Sequence, residues 1–231
     1  MRRPTLSEPD DRQSRGAARS VAVVGSGRMG SGLVSLLAPH TDVVWASRDP
    51  ARLAQRLDAL EMGGRVRPEA EPEALEADVV VLALWHDDAV AFATRHARRL
   101  AGTVVVDIAN PFTPDFLGFS LPETTSAAER LAAAAPAAHV VGAFKNTFWV
   151  VLEEPTIFPE GPSDVLVTGD DAASKELVLA TLAPLPFRFL DAGPLANSRT
   201  VERMTLLGRE LAQRTGSYPR TGWRLLGVDG R

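Results

Sequence analysis

Six residues near the start of the chain, Gly25-Ser26-Gly27-Arg28-Met29-Gly30, have the types and spacing needed to hold a pyrophosphate. In a G-x-G-x-x-G loop the first glycine permits a tight turn and the second lets the backbone approach the phosphates. The third lets a helix pack close to a strand. Here the loop follows the apolar run Val21-Ala22-Val23-Val24 and opens a segment with helical spacing. The N–H groups and dipole of a helix start would then face the anion. The competing reading is a plain glycine-rich turn.

A second cluster bears on which dinucleotide is bound. NAD-binding chains place Asp or Glu about 20 residues past the first glycine, where the carboxylate holds the ribose 2′-hydroxyl. At that point this chain reads Trp45-Ala46-Ser47-Arg48, with a hydroxyl and a guanidinium in place of the acid. Arg48 can pair with a 2′-phosphate and stack on adenine. Arg52 lies one helical turn further on; alternatively both are ordinary surface arginines. Asp49 is expected to cap the following helix. The expected cofactor is NADP(H).

Hydride chemistry asks a protein mainly for alignment. An acid is needed only where the acceptor gains a proton. Lys145, directly after an apolar strand, is one candidate acid, with desolvation lowering its pKa. It could equally be a fixed cation for an anionic substrate, or a lysine snorkelling from the sheet edge. His86, at the tip of the Val79–Leu84 strand, either faces the nicotinamide, as an amide partner or acid, or points to solvent. Asp87 and Asp88 fit as helix-start charges. Asn110 either bonds the nicotinamide ribose or makes a turn with Pro111. Two aromatic groups, Phe112, Phe116 and Phe119, and Phe144, Phe148 and Trp149, either wall a planar substrate or pack in a core or interface. Asn197 and Ser198 fit as caps of the last long helix.

Stepping outward from these residues, strands and helices must alternate to position them. Strands are expected over Ser20–Gly25, Asp42–Ala46, Val79–Leu84, Thr103–Ile108 and His139–Phe144. Helices are expected over Met29–Ala38, from Asp49, and over Asp87–Leu100 and Thr124–Ala135. This is the pattern of crossover units on a parallel sheet. The last third adds strands at Asp164–Thr168 and Phe187–Leu190, and helices at Asp171–Ala183 and Ser198–Arg214, before an irregular tail from Thr215. The predicted fold is α/β: a Rossmann-type doubly wound parallel sheet over residues 20–155, then a smaller C-terminal α/β domain over 156–231. The Pro/Gly-rich stretch Pro155–Ser163 is the predicted boundary. Residues 1–19, rich in Arg, Asp, Ser and Pro, are predicted to be a flexible extension.

Composition narrows the rest. The 231 residues carry a net charge of −4 without a basic stripe, which argues against nucleic acid as a partner. No cysteine is present, which removes disulfides, zinc–thiolate sites and a thiol nucleophile. The four histidines lack ligand spacing, and no metal is expected. The run Val79–Trp85 falls far short of the roughly 20 residues of a membrane span. Arg2 and Arg3 precede no apolar segment, so no secretion signal is read there. A cytoplasmic protein is expected, acting on a small molecule.

On these residues the chain resembles the NADPH-dependent reductases of the deazaflavin coenzyme F-420 and their relatives. The resemblance runs from Ser20 to about Gly216. It is carried by Gly25–Gly32, Ala46-Ser47-Arg48, Leu82-Ala83-Leu84-Trp85-His86, Val167-Thr168-Gly169-Asp170-Asp171 and, most specifically, Leu190–Arg199. It implies that Ser26, Arg28 and Met29 contact pyrophosphate and ribose, and that Ser47, Arg48 and Arg52 hold the 2′-phosphate. Leu84 and His86 would flank the nicotinamide; apart from the resemblance, Trp85, Asn110 and Ala143 are also expected to face the cofactor. It further implies coenzyme F-420 as co-substrate, hydride passing between stacked rings, and a homodimer. Two segments depart from the family. Ala143-Phe144-Lys145-Asn146-Thr147-Phe148-Trp149 replaces a His-containing, Pro/Ala-rich segment. Asn110-Pro111-Phe112 is closer to relatives such as the cytosolic domains of ferric reductases. An imine, ketone or flavin is therefore the alternative acceptor, and an NADP-binding redox sensor the non-enzymatic alternative.

Overall fold

Short β-branched runs with no polar alternation are stable only as strands covered on both faces, and they build the centre of this molecule. The computed structural model describes residues 16–59 and 64–229. In chain order the elements are β1 (Ser20–Val24), α1 (Arg28–Leu37), β2 (Asp42–Ser47), α2 (Pro50–Ala59), β3 (Val66–Ala70), β4 (Val79–Leu82), α3 (His86–His96), β5 (Val104–Asp107), α4 (Ala127–Ala134), β6 (His139–Gly142), α5 (Trp149–Glu153), β7 (Asp164–Gly169), α6 (Ala172–Leu182), β8 (Arg188–Asp191) and α7 (Ser198–Thr215). Short 3-10 turns lie at Glu73–Glu76 and Leu195–Asn197.

The sheet has eight strands in the order β3-β2-β1-β4-β5-β6-β7-β8. β1 pairs in parallel with both β2 and β4. The order therefore reverses at β1/β4, the switch point at whose carboxyl edge open α/β sheets bind ligands. Alternation along each strand divides the core. Val21 and Val23 face one cluster with Leu33, Val34, Leu53, Val178 and Leu179. Ala22 and Val24 face the other, with Ala89, Phe92, Ala128 and Leu131. The sheet is thus doubly wound, as predicted.

The predicted second domain is corrected. β7 pairs antiparallel with β6 through Val141↔Gly169 and Gly142↔Thr168, and β8 then pairs in parallel with β7. The last third extends the same sheet, because the inner strands end in an open edge that β7 covers. Among residues 1–19, residues 1–15 lie outside the described residues. Ala18 is buried, its N–H donating to Thr181 Oγ1 at 2.9 Å, so the end of the predicted extension is part of the fold. Among the described residues, the tail after Gly216 has no helix or strand, yet it is tied down. Asp164 N–H donates to the Trp223 carbonyl at 2.7 Å, and Leu225 N–H to Asp164 Oδ2 at 2.6 Å.

Two elements escape the sequence reading. β3 carries Arg67, Pro68 and Glu69; it is an edge strand, where a missing N–H and charged side chains are tolerated. α5 is a single short turn of helix whose Val150, Val151 and Leu152 are all buried, and periodicity cannot reveal so short a piece.

Candidate active site

The glycine loop joins β1 to α1 at the switch point. Gly25 has φ +120°, and a Cβ there would lie 2.2 Å from the Ala83 carbonyl oxygen. A Cβ on Gly30 would lie 2.2 Å from the Gly25 carbonyl oxygen. The protein's own packing demands glycine at both places. At Gly27 it does not: φ is −73° and a Cβ would meet nothing within 4 Å. A glycine with open space before it is what a backbone needs where a phosphate is to approach. α1 begins at that point with no side-chain cap and no acidic residue in its first turn. Its leading N–H groups therefore face the loop as an anion site. These features fit a pyrophosphate.

Trp45 on β2 braces the loop, its Nε1 donating to the Gly25 carbonyl at 3.0 Å. Ser47, half-buried, exchanges hydrogen bonds with the backbone of Asp49, and Asp49 Oδ1 accepts from Arg52 N–H at 3.1 Å, the predicted cap. Arg48 and Arg52 are exposed beside it. Arg56, a further turn along α2, reaches back to the loop, its Nη1 donating to the Ser26 carbonyl at 2.6 Å. Arg56 was not among the predicted residues; its signal is the spacing of four that it shares with Arg48 and Arg52. Arg28 stacks 4.2 Å over the Trp149 ring, which fixes a guanidinium at the loop's other side. Met29 is half-buried on the same turn and packs against the core.

The tips of β4 and β5 form the second half of the site. Leu84 packs beside the core, Trp85 is 63% exposed and His86 is buried. A cleft of about 240 Å³ lies here, lined by Trp85, His86, Asp87, Phe112, Thr113 and Phe116 among others. Trp85 and Phe116 meet edge to face at 5.8 Å, and Phe112 contacts both Phe116 and Phe119. Flat ligands bind well between such rings. Burial pushes the His86 pKa below its ordinary value. Asp107 and Asp87 oppose that fall, while Lys145 and Arg130 add to it. The imidazole is thus neutral near pH 7.

Lys145 requires a correction. It does not stand at an open strand tip; it is 1% exposed. Its Nζ lies 2.7 Å from Asp107 Oδ2, 2.9 Å from Glu202 Oε1 and 2.5 Å from the Ala109 carbonyl, so three acceptors meet its three N–H donors. Desolvation presses its pKa down, but the Asp107 and Glu202 carboxylates outweigh that, and the net pKa is raised. The predicted lowering is reversed because the charges that surround the ammonium come from β5 and α7, far away in sequence. Neither a low-pKa acid nor a free substrate-binding cation results. Glu202 also accepts from Ala127 N–H at 3.0 Å, at the start of α4. Desolvation raises its pKa against the pull of Lys145.

The rest of the Ala143–Trp149 segment is similarly inward. Ala143, Phe144 and Phe148 belong to the core, with Phe144 at φ +55°, so Ala143 meets the sheet's interior. Asn110 closes a tight turn about Pro111, its carbonyl accepting from Phe112 N–H at 2.9 Å, and its side chain also reaches Lys145, Nδ2 donating to the Lys145 carbonyl at 2.8 Å. Asn197 and Ser198 do not cap α7. Asn197 Nδ2 donates to the Ala192 carbonyl at 2.6 Å, and Ser198 Oγ pairs with Thr168 Oγ1 at 2.6 Å. Asp107, Glu202 and Thr205 were missed in sequence. The available signal was Glu202 falling among the buried positions Ser198, Val201 and Thr205 of α7.

Fold and loop together define a dinucleotide-binding α/β protein. Residues 20–111 match the family described as NADP oxidoreductase, coenzyme F-420-dependent. Over 191 residues the chain is 30% identical to the metalloreductase STEAP3 of Rattus norvegicus, covering 82% of this chain and 37% of that protein. It therefore spans little more than a third of that relative's length. Among solved structures it is similar to a candidate F-420-dependent NADP-reductase from Arthrobacter sp. FB24, with TM-score 0.78 and 25% identity over 89% of this chain and 98% of that one. It is also similar to the hypothetical protein SMa0349 from Sinorhizobium meliloti, with TM-score 0.67 and 27% identity over 81% and 89% of the two chains.

Proposed function

We propose that this chain is an NADP(H)-dependent oxidoreductase, with the nucleotide lying along the carboxyl edge of β2, β1 and β4 and the acceptor seated in the aromatic cleft. One observation carries the reading: Gly25 and Gly30 are demanded by internal contacts, whereas Gly27 faces open space before an uncapped helix start. Arg48, Arg52 and Arg56 supply the positive charge for a 2′-phosphate. When bound, NADPH supplies hydride from its dihydronicotinamide ring. The chain's own work is to hold the phosphates at α1, to stack a flat acceptor against Trp85 and Phe116, and to exclude water from the cleft floor. Neutral His86 would donate a hydrogen bond to a heteroatom of the acceptor.

The family match over residues 20–111 favours coenzyme F-420 as that acceptor. A second reading keeps NADPH but passes hydride to a flavin, imine or ketone. It is favoured by the inward commitment of Phe144, Lys145 and Phe148, residues of the segment expected to shape a deazaflavin pocket. The test is to titrate the protein with NADPH and NADH, then follow NADPH oxidation with coenzyme F-420, FMN, cyclic imines and ketones. Turnover of F-420 supports the first acceptor. Turnover only of the others supports the second. Tight NADPH binding without any turnover would leave a redox sensor.

A further inference from the structure

Among the described residues, two other than glycine hold a positive φ, Phe116 at 59° and Phe144 at 55°. For a bulky side chain that backbone is strained, and it persists only where the surroundings enforce it. Phe144 has an evident reason. It is 1% exposed and packs edge to face on Phe187 and Phe189. Phe116 has no reason of that kind. It is 43% exposed, and its ring neighbours are Phe112 and Trp85, the latter itself exposed. Core packing accounts for one strained phenylalanine and not for the other.

The turn that carries Phe116 is built to keep it there. Phe116 N–H donates to the Thr113 carbonyl at 2.8 Å, and Thr113 N–H to the Gly118 carbonyl at 2.9 Å. Asp115 Oδ1 accepts from Thr113 Oγ1 at 2.6 Å and from Leu117 N–H at 3.0 Å. An antiparallel bridge between Phe112 and Phe119 closes the base of the loop. A turn position with positive φ ordinarily takes glycine or asparagine; here a ring stands in it. That ring lines the cleft beside His86, and its plane meets that of Trp85 at 61°. Two exposed rings at such an angle form a corner, which offers one face and one edge to a flat ring system. A small saturated ligand gains no such contact.

We propose that Phe116 is the specificity-determining residue of the acceptor site, selecting planar fused-ring heteroaromatics, the chemistry shared by flavin and deazaflavin, over saturated imines and aliphatic ketones. The strained turn is the means: it holds the ring out of the core and against Trp85, with its open face left to the ligand. The proposal rests on the NADP(H) reading above and narrows the acceptor which that reading leaves open.

The test is calorimetric binding of FMN, coenzyme F-420 and the cyclic imine pyrroline to the NADP+-saturated wild type, Phe116→Ala, Phe116→Gly and Phe116→Tyr. NADP+ carries no hydride to give, so these ligands bind without turnover. Phe116→Ala and Phe116→Gly are both expected to weaken the planar ligand about tenfold, with NADP+ itself nearly unchanged. Phe116→Tyr, which keeps the ring, should bind as the wild type does. The tighter of FMN and coenzyme F-420 in the wild type distinguishes the two sources. Thermal unfolding reads the strain: Phe116→Gly should melt about 2–4 °C above Phe116→Ala, the reverse of their usual order. Equal affinity of wild type and Phe116→Ala for the planar ligands, equal loss for these ligands and NADP+, or a wild type that binds pyrroline as tightly as them overturns the proposal. So does Phe116→Ala melting at or above Phe116→Gly, which removes the strain. NADP+ failing to bind the wild type overturns the NADP(H) reading and this one with it; NADP+ bound with neither planar ligand taken up overturns this one alone.

Discussion

Replacing Gly27 by alanine separates ligand binding from folding more cleanly than any other change in the loop. The backbone at Gly27 has φ −73° and ψ −174°, which alanine adopts freely, and its Cβ would meet no atom within 4 Å. Alanine lowers the entropy of the unfolded chain, a gain of about 0.4–1 kcal/mol. It is also a poorer helix cap than glycine, which offsets part of that gain. The net change in stability is therefore within about 1 kcal/mol, or roughly 2–4 °C in Tm for a chain of this size. The methyl would, however, stand where the pyrophosphate meets the first N–H groups of α1. Losing one charge-assisted hydrogen bond there costs about 1.5–3 kcal/mol, which weakens NADPH binding roughly 10- to 100-fold. Gly25→Ala provides the contrast. With φ +120° and a Cβ 2.2 Å from the Ala83 carbonyl oxygen, it should destabilise the fold by several kcal/mol, whatever ligand is present. Thermal unfolding by circular dichroism and NADPH titration by calorimetry measure both quantities. Wild-type NADPH affinity in Gly27→Ala would show that phosphate does not sit at α1, and the nucleotide reading would fail.

Three further outcomes follow from the same geometry. Arg48→Ala should weaken NADPH binding about tenfold or more and leave NADH binding nearly unchanged, as read by competitive titration; equal losses would remove the 2′-phosphate role. Lys145→Met strands the Asp107 and Glu202 carboxylates in the interior, and should cost about 3–5 kcal/mol in urea unfolding at neutral pH. Burial already raises the Glu202 pKa against the pull of Lys145. Without the lysine it lies further above its unfolded value, so the deficit should shrink as pH falls and Glu202 protonates; a pH-independent deficit would contradict the ion network. In the wild type, burial holds His86 and His96 below the ordinary histidine value. The unfolded chain therefore takes up protons first as pH drops below about 6.5, and stability present above that pH is lost on acidification through the folded-state values. His86→Asn should flatten part of that slope, and an unchanged slope would count against a desolvated imidazole.

The glycine loop, the Ser47-Arg48 step and the alternation of strands and helices were legible in the residues alone, because each depends on local rules. A loop that must turn tightly, a strand covered on both faces and a helix start that must face an anion all leave their mark within a few adjacent positions. Charge pairing leaves no such mark. Lys145 reads in sequence as a lone cation after a strand, and only the fold sets Asp107, 38 residues away, at 2.7 Å from its ammonium and Glu202 of α7 on its other side. The same holds for β7, whose pairing with β6 merged an expected second domain into one sheet, and for Arg56, which acquires its place by reaching back 30 residues to the Ser26 carbonyl. Local sterics belong to the sequence. The electrostatic environment of a side chain is a sum over neighbours that only tertiary packing brings together, and it turned the predicted proton donor into a structural tie.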